Sequence, residues 1–416
     1  MKRTRIGLAV MLLGSLLLTS ACERTHTTQL GYRGLSLTQL DKPSKLAKLA
    51  EANVVPKPLK VANPDGPRAQ DYYENVRVLG DYSKSEFART MSSIKNWVAP
   101  ADGCGYCHNA PNYADDSKYT KRVAREMIRM TRRINTQWSS HVGKTGVTCY
   151  TCHRGQPVPA KLWYSPTPTD FDGFTAHKSP MRLPEASAGT TGLPNDALQH
   201  FLLDDAEIRV IGTTALAGEN RRSIKQTKYT YALMMVMAES LGVNCDYCHN
   251  TRAFYSWEQS RPQRVTAWYG IRMVRDLNNS VMVPLTTTFP GNRLGPTGDA
   301  PKIYCATCHQ GVFKPLYGVS MVKDFPELIS PKSPDYVEGP KPGSPYINDY
   351  TGGAAAQQQE PGAEPASTAP PSSAPISPKA PLPPGQKATA LPDPHGGTLG
   401  ARAVTFGDKL AASSRN

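Results

Sequence analysis

Apolar side chains recur at helical spacing in four separate stretches of the chain. Phe87, Met91, Ile94 and Val98 stand at i, i+4, i+7 and i+11, and Val123, Met127, Met130 and Ile134 repeat the frame. Thr230, Met234, Met237 and Leu241 follow it again, and Thr266, Gly270, Met273 and Leu277 give a fourth copy. Such spacing predicts helices with one apolar face each. The second helix also carries Arg122, Arg125, Arg129, Arg132 and Arg133 on another face. Stretches such as 156–194 show no period and read as long irregular connections. In three of the frames the second slot holds a methionine, and in the fourth it holds Gly270.

Each helix runs ahead of the same short motif. Cys-x-x-Cys-His occurs at Cys104/Cys107/His108, Cys149/Cys152/His153, Cys245/Cys248/His249 and Cys305/Cys308/His309. Two thiols three residues apart, followed at once by an imidazole, attach a haem covalently and give its iron one axial ligand. The four copies use eight of the nine cysteines, so the chain reads as a c-type cytochrome with four covalently attached haems. A zinc site does not require a histidine after each second cysteine. An odd cysteine count argues against a disulfide framework, and thioredoxin-like redox pairs would not come four to a chain.

The motifs alternate in kind. Tyr-Cys-His-Asn ends the first and third, and Thr-Cys-His-x-Gly ends the second and fourth, at offsets of 141 and 156 residues. This internal duplication predicts a mainly α multihaem cytochrome of two pseudo-two-fold-related dihaem halves, 81–200 and 201–335, joined by long irregular connections. A methionine on an apolar helix face is usually core filler. Three in one slot, each ahead of a haem motif, instead point to Met91, Met127 and Met234 as sixth ligands, with Met130, Met235 and Met237 as competitors. At the fourth helix Gly270 leaves room for a side chain from elsewhere. Outside the motifs the histidines are His26, His141, His177, His200 and His395, of which His141 stands between the second helix and the second motif.

The chain ends carry their own signals. Residues 1–21 combine Lys2, Arg3 and Arg5, an apolar run from Ile6 to Leu18 and the small residues Thr19, Ser20 and Ala21. That is an export leader, too short for a comfortable membrane span. Cys22 follows it as the acylated cysteine does in bacterial lipoproteins, although Thr19 stands where a leucine is usual. Residues 22–80 read as an extended lead-in lying over the body. Residues 336–416 form a Pro/Ala-rich tail; from Gly352 it holds eleven prolines, one phenylalanine and no Cys, Trp or Tyr. Such a composition cannot bury enough apolar surface to order itself. The net charge of +14 is largely balanced by the leader's removal and by haem propionates, so no nucleic-acid partner is implied.

Taken together, Cys22, the paired motifs and methionines 13, 22 and 11 residues before Cys104, Cys149 and Cys245 resemble the tetrahaem cytochrome subunit of purple-bacterial photosynthetic reaction centres. A histidine eight residues before Cys149, and Lys314 to Met321 after the last motif, fit that family too. The likeness covers roughly Cys22 to Pro331. It implies Met91, Met127 and Met234 as sixth ligands of the first three haems and His141 as the ligand opposite His309. It further implies electron transfer rather than enzyme catalysis, along the file first, second, fourth, third, towards the special pair held by the L and M subunits. The electrons would come from a soluble periplasmic donor such as a c-type cytochrome or a high-potential iron-sulfur protein. The protein would sit on the periplasmic face of the inner membrane, held by lipid on Cys22. A multihaem periplasmic oxidoreductase and a free-standing lipoprotein carrier are the alternatives. Glu86, Asp102, Asp115 and Asp116 offer an acidic rim to a basic donor, and the arginines of the second helix are suited to propionates.

Overall fold

A computed structural model describes residues 23–29, 38–167, 193–208, 210, 223–254 and 256–329. The leader, Cys22, His177, His395 and the segment 336–416 lie outside those residues. A hairpin of β1 (His26–Gln29) and β2 (Thr38–Asp41) opens the chain, followed by α1 (Pro43–Ala52) and the single turn α2 (Ala69–Tyr72). Then come α3 (Lys84–Val98), α4 (Tyr119–Gln137), α5 (Ser139–Val142) and α6 (Cys149–His153). The later part holds α7 (Ala197–Leu202), α8 (Ile224–Leu241), α9 (Gln263–Leu277) and α10 (Cys305–His309). The fold is mainly α, and no helix among the described residues is long and apolar enough to cross a membrane.

The four long helices of the sequence frames all form, and their ends follow local chemistry. Ser83 caps α3 by accepting from the Glu86 amide while Glu86 accepts from the Ser83 amide; Ser223 and Gln226 do the same for α8. These reciprocal pairs satisfy amides that the first helical turn leaves without partners. At its far end α8 stops at Gly242, whose φ of +65° suits glycine. A side chain there would also run into the Gly311 carbonyl. Helix α9 continues through a π turn, Asn278–Met282.

The main core ignores the boundary between the two motif pairs. Met130, Ile134, Trp138 and Trp163 pack in one cluster with Phe201, Leu233, Ile271 and Leu277. A second cluster joins Trp97 to the segment that follows the last motif, through Leu316, Met321, Phe325 and Leu328. The lead-in is more structured than an extended strip, since it holds the hairpin and α1. It does lie on the body: Asn244 donates to the Thr38 carbonyl at 2.9 Å, Tyr150 donates its hydroxyl to the Val54 carbonyl at 3.0 Å, and Arg89 reaches the carbonyls of Leu59 and Lys60.

Phe325 holds the last segment down. It is 1% exposed, meets Trp97 edge-on at 4.6 Å between ring centres, and carries the Arg89 guanidinium 4.1 Å above its face. Truncating a buried phenylalanine costs about 3–5 kcal/mol. Phe325→Ala is therefore expected to lower the thermal midpoint of the haem-loaded protein, followed by far-UV circular dichroism. An unchanged midpoint would show that this segment contributes nothing to stability.

Candidate haem sites

The apolar stripes of the helices face cavities, and the opposite, more polar faces pack against protein. On α3 the fully buried positions are Arg89, Thr90, Ser93 and Trp97, while Phe87, Met91, Ile94 and Val98 line a cavity of about 650 Å³. Met91 shares that cavity with Cys104, Cys107 and His108. On α4 the stripe Val123, Met127, Met130 and Ile134 lines a second cavity of about 420 Å³, and all four frame positions of α9 line it from the other side. An amphipathic helix normally turns its stripe to the core. Here the stripe is turned to a space of ligand size walled by apolar groups, as cofactor sites are.

The cavities are contiguous. Val123, Met127, Cys149, His153, Phe289 and Arg293 line both. The second also takes in His141, Cys152, Cys305, Cys308 and His309. The Sγ atoms of Cys152 and Cys308 lie 2.7 Å apart, so the second and fourth motifs are immediate neighbours. The third motif abuts the fourth: the Gly311 amide donates to the Ser240 carbonyl at 2.8 Å, and the Tyr247 ring lies 5.5 Å from Phe313.

Two kinds of turn present the histidines. In the Tyr-Cys-His-Asn motifs the backbone makes a short 3-10 turn, and Nδ1 of His108 and His249 reaches the carbonyl five residues on, at Tyr113 (3.0 Å) and Phe254 (3.2 Å). In the Thr-Cys-His-x-Gly motifs the five residues form helices α6 and α10. There the threonine hydroxyl accepts the amide ahead of the first cysteine, Thr151 from Thr148 and Thr307 from Tyr304, both at 3.0 Å. The chain then turns left-handed at Arg154 and Gln310, and each is followed by a glycine of positive φ. Nδ1 of His153 and His309 thus meets the carbonyl three residues on, at Gln156 (2.9 Å) and Val312 (3.0 Å). An imidazole donating Nδ1–H to a carbonyl leaves its Nε2 lone pair for a metal. Burial lowers the pKa of all four, His309 to about 4, so each is neutral at physiological pH.

Of the predicted sixth ligands, Met91, Met127 and His141 line the cavities and Met234 lines neither. Met91 packs beside Val78, Leu79 and Ile128, and Met127 lies in the wall common to both cavities. Met234 is half-buried against the main core, whereas Met237 is buried and faces the second cavity. His141 comes to the place that Gly270 leaves open. A Cβ on Gly270 would sit 2.6 Å from His141 Cε1, and His141 donates Nδ1–H to the Thr266 carbonyl at 2.9 Å. Its ring centre lies 6.1 Å from that of His309. Two imidazoles sharing one metal, each with a bond of about 2 Å and a ring centre about 1.1 Å behind Nε2, need centres about 6 Å apart. The residues therefore fit a six-coordinate haem iron. Of the other described histidines, His26 is exposed on β1 and His200 stacks on Tyr229.

Charge is arranged differently from the sequence expectation. Arg125 pairs with Asp116 at 2.8 Å, Arg129 with Glu126 and Arg133 with Asp276 at 2.7 Å, and Arg132 donates to the Glu327 carbonyl at 2.8 Å. These arginines are held by the protein's own carboxylates and a backbone carbonyl. Asp116 also pairs with Lys121 at 3.0 Å. Asp115 accepts from Ser117 and Asn109, which holds its carboxyl down at about 2. With Glu86 capping α3, three of the four acids expected to form a donor-facing rim have structural work. Two basic groups went unnoticed in the sequence. Arg293 lies in the wall common to the cavities, and its Nε is buried with no hydrogen-bond partner among the described residues. Arg264 stacks on Trp257 at 3.9 Å and depresses the pKa of His249 by its charge. Burial also pushes the Cys107 and Cys248 thiols up to about 11 and those of Cys149 and Cys305 to about 12. Among the described residues no group of His, Cys, Asp and Glu converges as a simple metal-ion site.

The chain is similar to known proteins over most of its length. Residues 22–329 match the family described as photosynthetic reaction centre cytochrome C subunit. The photosynthetic reaction center cytochrome c subunit of Rubrivivax gelatinosus is 49% identical over 328 residues, which cover 78% of this chain and 89% of that protein. The proteins of the same description from Thermochromatium tepidum and Roseobacter denitrificans are 45% and 42% identical, over 77% and 64% of this chain and 79% and 75% of their own lengths.

Gly270→Ala tests the crossing histidine. Alanine favours a helix over glycine by about 1 kcal/mol, so α9 should persist while the new methyl displaces the His141 ring. The haem attached at Cys305 and Cys308 is expected to lose its six-coordinate low-spin spectrum. An unaltered spectrum would place its sixth ligand elsewhere.

Proposed function

This chain belongs to the photosynthetic reaction-centre cytochrome c subunit family, and from that premise we propose how its residues carry electrons to the reaction centre. The subunit is an electron-transfer component, not an enzyme; it carries covalently bound haem and partners the membrane-associated reaction-centre core. A bound c-type haem supplies a one-electron couple at its iron. What the chain supplies is attachment, axial ligands, spacing and surroundings.

The proposed complement is four haems, attached through the four cysteine pairs, in two dihaem halves related by a pseudo-two-fold. Met91 with His108, Met127 with His153 and Met234 with His249 form three thioether–imidazole ligand sets, and His141 with His309 forms a bis-imidazole set. Thioether ligation raises a haem's potential, so the site of His141 is the low step of the relay. The single observation that carries the reading is the wall common to the two cavities. Met127 and His153 in that wall support the first and second sites as neighbours, Cys152 beside Cys308 supports the second and fourth, and the contacts of Ser240 with Gly311 and of Tyr247 with Phe313 support the third as the fourth's neighbour. An electron given up by a soluble periplasmic donor enters at the Cys104 end and leaves from the Cys245 end. The donor is oxidised by one electron and the photo-oxidised special pair is reduced by one. Near the exit, the positive charge of Arg264 beside His249 favours the reduced state. Lipid on Cys22 anchors the subunit at the periplasmic face.

Two measurements test this. Detergent-solubilised membranes should yield the cytochrome together with bacteriochlorophyll protein, and a flash should oxidise its haem within milliseconds; a cytochrome that purifies alone and ignores the flash would refute the assignment. Met234→His should lower the midpoint potential of the haem at Cys245 and Cys248 in a redox titration. No shift there would transfer ligation to Met235 or Met237.

A further inference from the structure

We infer that Asp276 is a positioning residue for His141, acting through the indole of Trp138. The inference rests on His141 being the sixth ligand proposed above.

Helix α5 holds His141 but has only four residues. So short a helix has no stability of its own, and a metal ligand on it must be held from outside. Helix α9 does this at three levels. Thr266 orients the ring through Nδ1 at 2.9 Å, and Gly270 admits it. A further turn and a half along, Asp276 accepts the Trp138 indole N–H at 3.0 Å. Trp138 caps α5, and its carbonyl accepts from the amides of His141 at 2.9 Å and Val142 at 3.1 Å. With 2% of its surface exposed, Trp138 is locked in the main core.

The carboxylate is itself fixed. Asp276 is 1% exposed; Arg133 of α4 donates to it at 2.7 Å and the Ser280 hydroxyl lies 3.3 Å away. A buried carboxylate is costly unless paired and hydrogen-bonded, and this one meets two firm donors, one on the helix before His141 and one on the residue that caps the His141 helix. The Ser280 hydroxyl beside it donates chiefly to the Asp276 backbone carbonyl, at 2.6 Å. The cluster therefore fixes α5 between the two helices that wall the second cavity. Ligands of metals are commonly oriented by such outer contacts, whose loss perturbs the site without touching a ligand.

The test uses the full chain with haem attached. Trp138→Phe keeps the ring and removes the donor; Asp276→Asn keeps an oxygen able to accept the indole N–H and removes the charge. Expected for Trp138→Phe is a shift or splitting of the low-spin bis-imidazole electron paramagnetic resonance signal and a moved midpoint potential at the haem of Cys305 and Cys308, with the other haems unchanged. Asp276→Asn leaves one acceptor oxygen for two donors, the indole and Arg133, and should shift the signal less than loss of the acceptor does. Asp276→Leu, which keeps the bulk and lacks the acceptor, should behave like Trp138→Phe and serves where that variant does not accumulate. A normal signal and potential in either donor- or acceptor-deleted protein overturns the inference, as does a larger shift in Asp276→Asn than in Asp276→Leu. If the unsubstituted protein shows no bis-imidazole signal, the ligand assignment fails first, and the two failures are thereby distinguished.

Discussion

An imidazole can offer Nε2 to iron only while Nδ1 keeps its proton, and a backbone carbonyl holds that proton at each of five histidines. The rest of the local structure follows from supplying those carbonyls. Where the chain makes a 3-10 turn, the acceptor lies five residues on; where it makes a helical turn, the chain must reverse sharply to bring one back within three. That reversal is why Arg154 and Gln310 are left-handed and why each precedes a glycine. It also explains the threonine before the second cysteine, whose hydroxyl takes an amide that so short a helix leaves without a partner. For His141 the carbonyl comes from another helix altogether. Burial lowers the pKa of the same rings and outweighs the opposing effect of the carbonyl bond, so the carbonyl sets the orientation and burial keeps the ring neutral.

The same demand turns the helices inside out. Apolar stripes on α3, α4 and α9 border cavities, so their other faces must pack on protein with polar side chains. Arg89, Arg132 and Asn135 do so by donating to the carbonyls of Asp324, Glu327 and Leu328, which binds the segment after the last motif to the first two long helices. Buried cations directed at backbone carbonyls are tolerable only when those donors are satisfied. Haem bound along the stripes would cover the apolar surface that the protein leaves bordering the cavities, so cofactor attachment and core formation are linked here.

Much of this was legible in the sequence because it rests on spacing. The helical frames, the motif pairs and the absent side chain at Gly270 are periodic or local features; the frames of α3, α4 and α9 line the cavities, and in the third frame only Met237 and Leu241 do. The proximity of His141 to Gly270 was accessible because a missing ligand is itself a pattern. What escaped is what depends on distant partners. The arginines of α4 look like a basic face, yet Asp116, Glu126 and Asp276 answer three of them, and Asp276 lies 143 residues from Arg133. Asp115 and Asp116 look like surface charge but hold the loop after the first motif. Arg293 stands in a stretch with no period at all, and only the folded chain shows it between two cavities.

Duplication explains the likeness of the two motif pairs, but not why the chain departs from it at α9. If both halves carried a methionine in every slot, each would complete its own sites, and the contact between them would have no chemical task. With glycine in the fourth slot, the ring of His141 enters the space from the other motif pair, and in the proposed ligand set the fourth site borrows it. The common core of Trp138, Phe201, Leu233 and Leu277 then has to hold the halves in register to within the tolerance of a metal–nitrogen bond. In the proposed file, spatial order then differs from chain order, because a site that draws on both motif pairs must lie between them. The contact of Cys152 with Cys308 favours the second and fourth sites as that central pair.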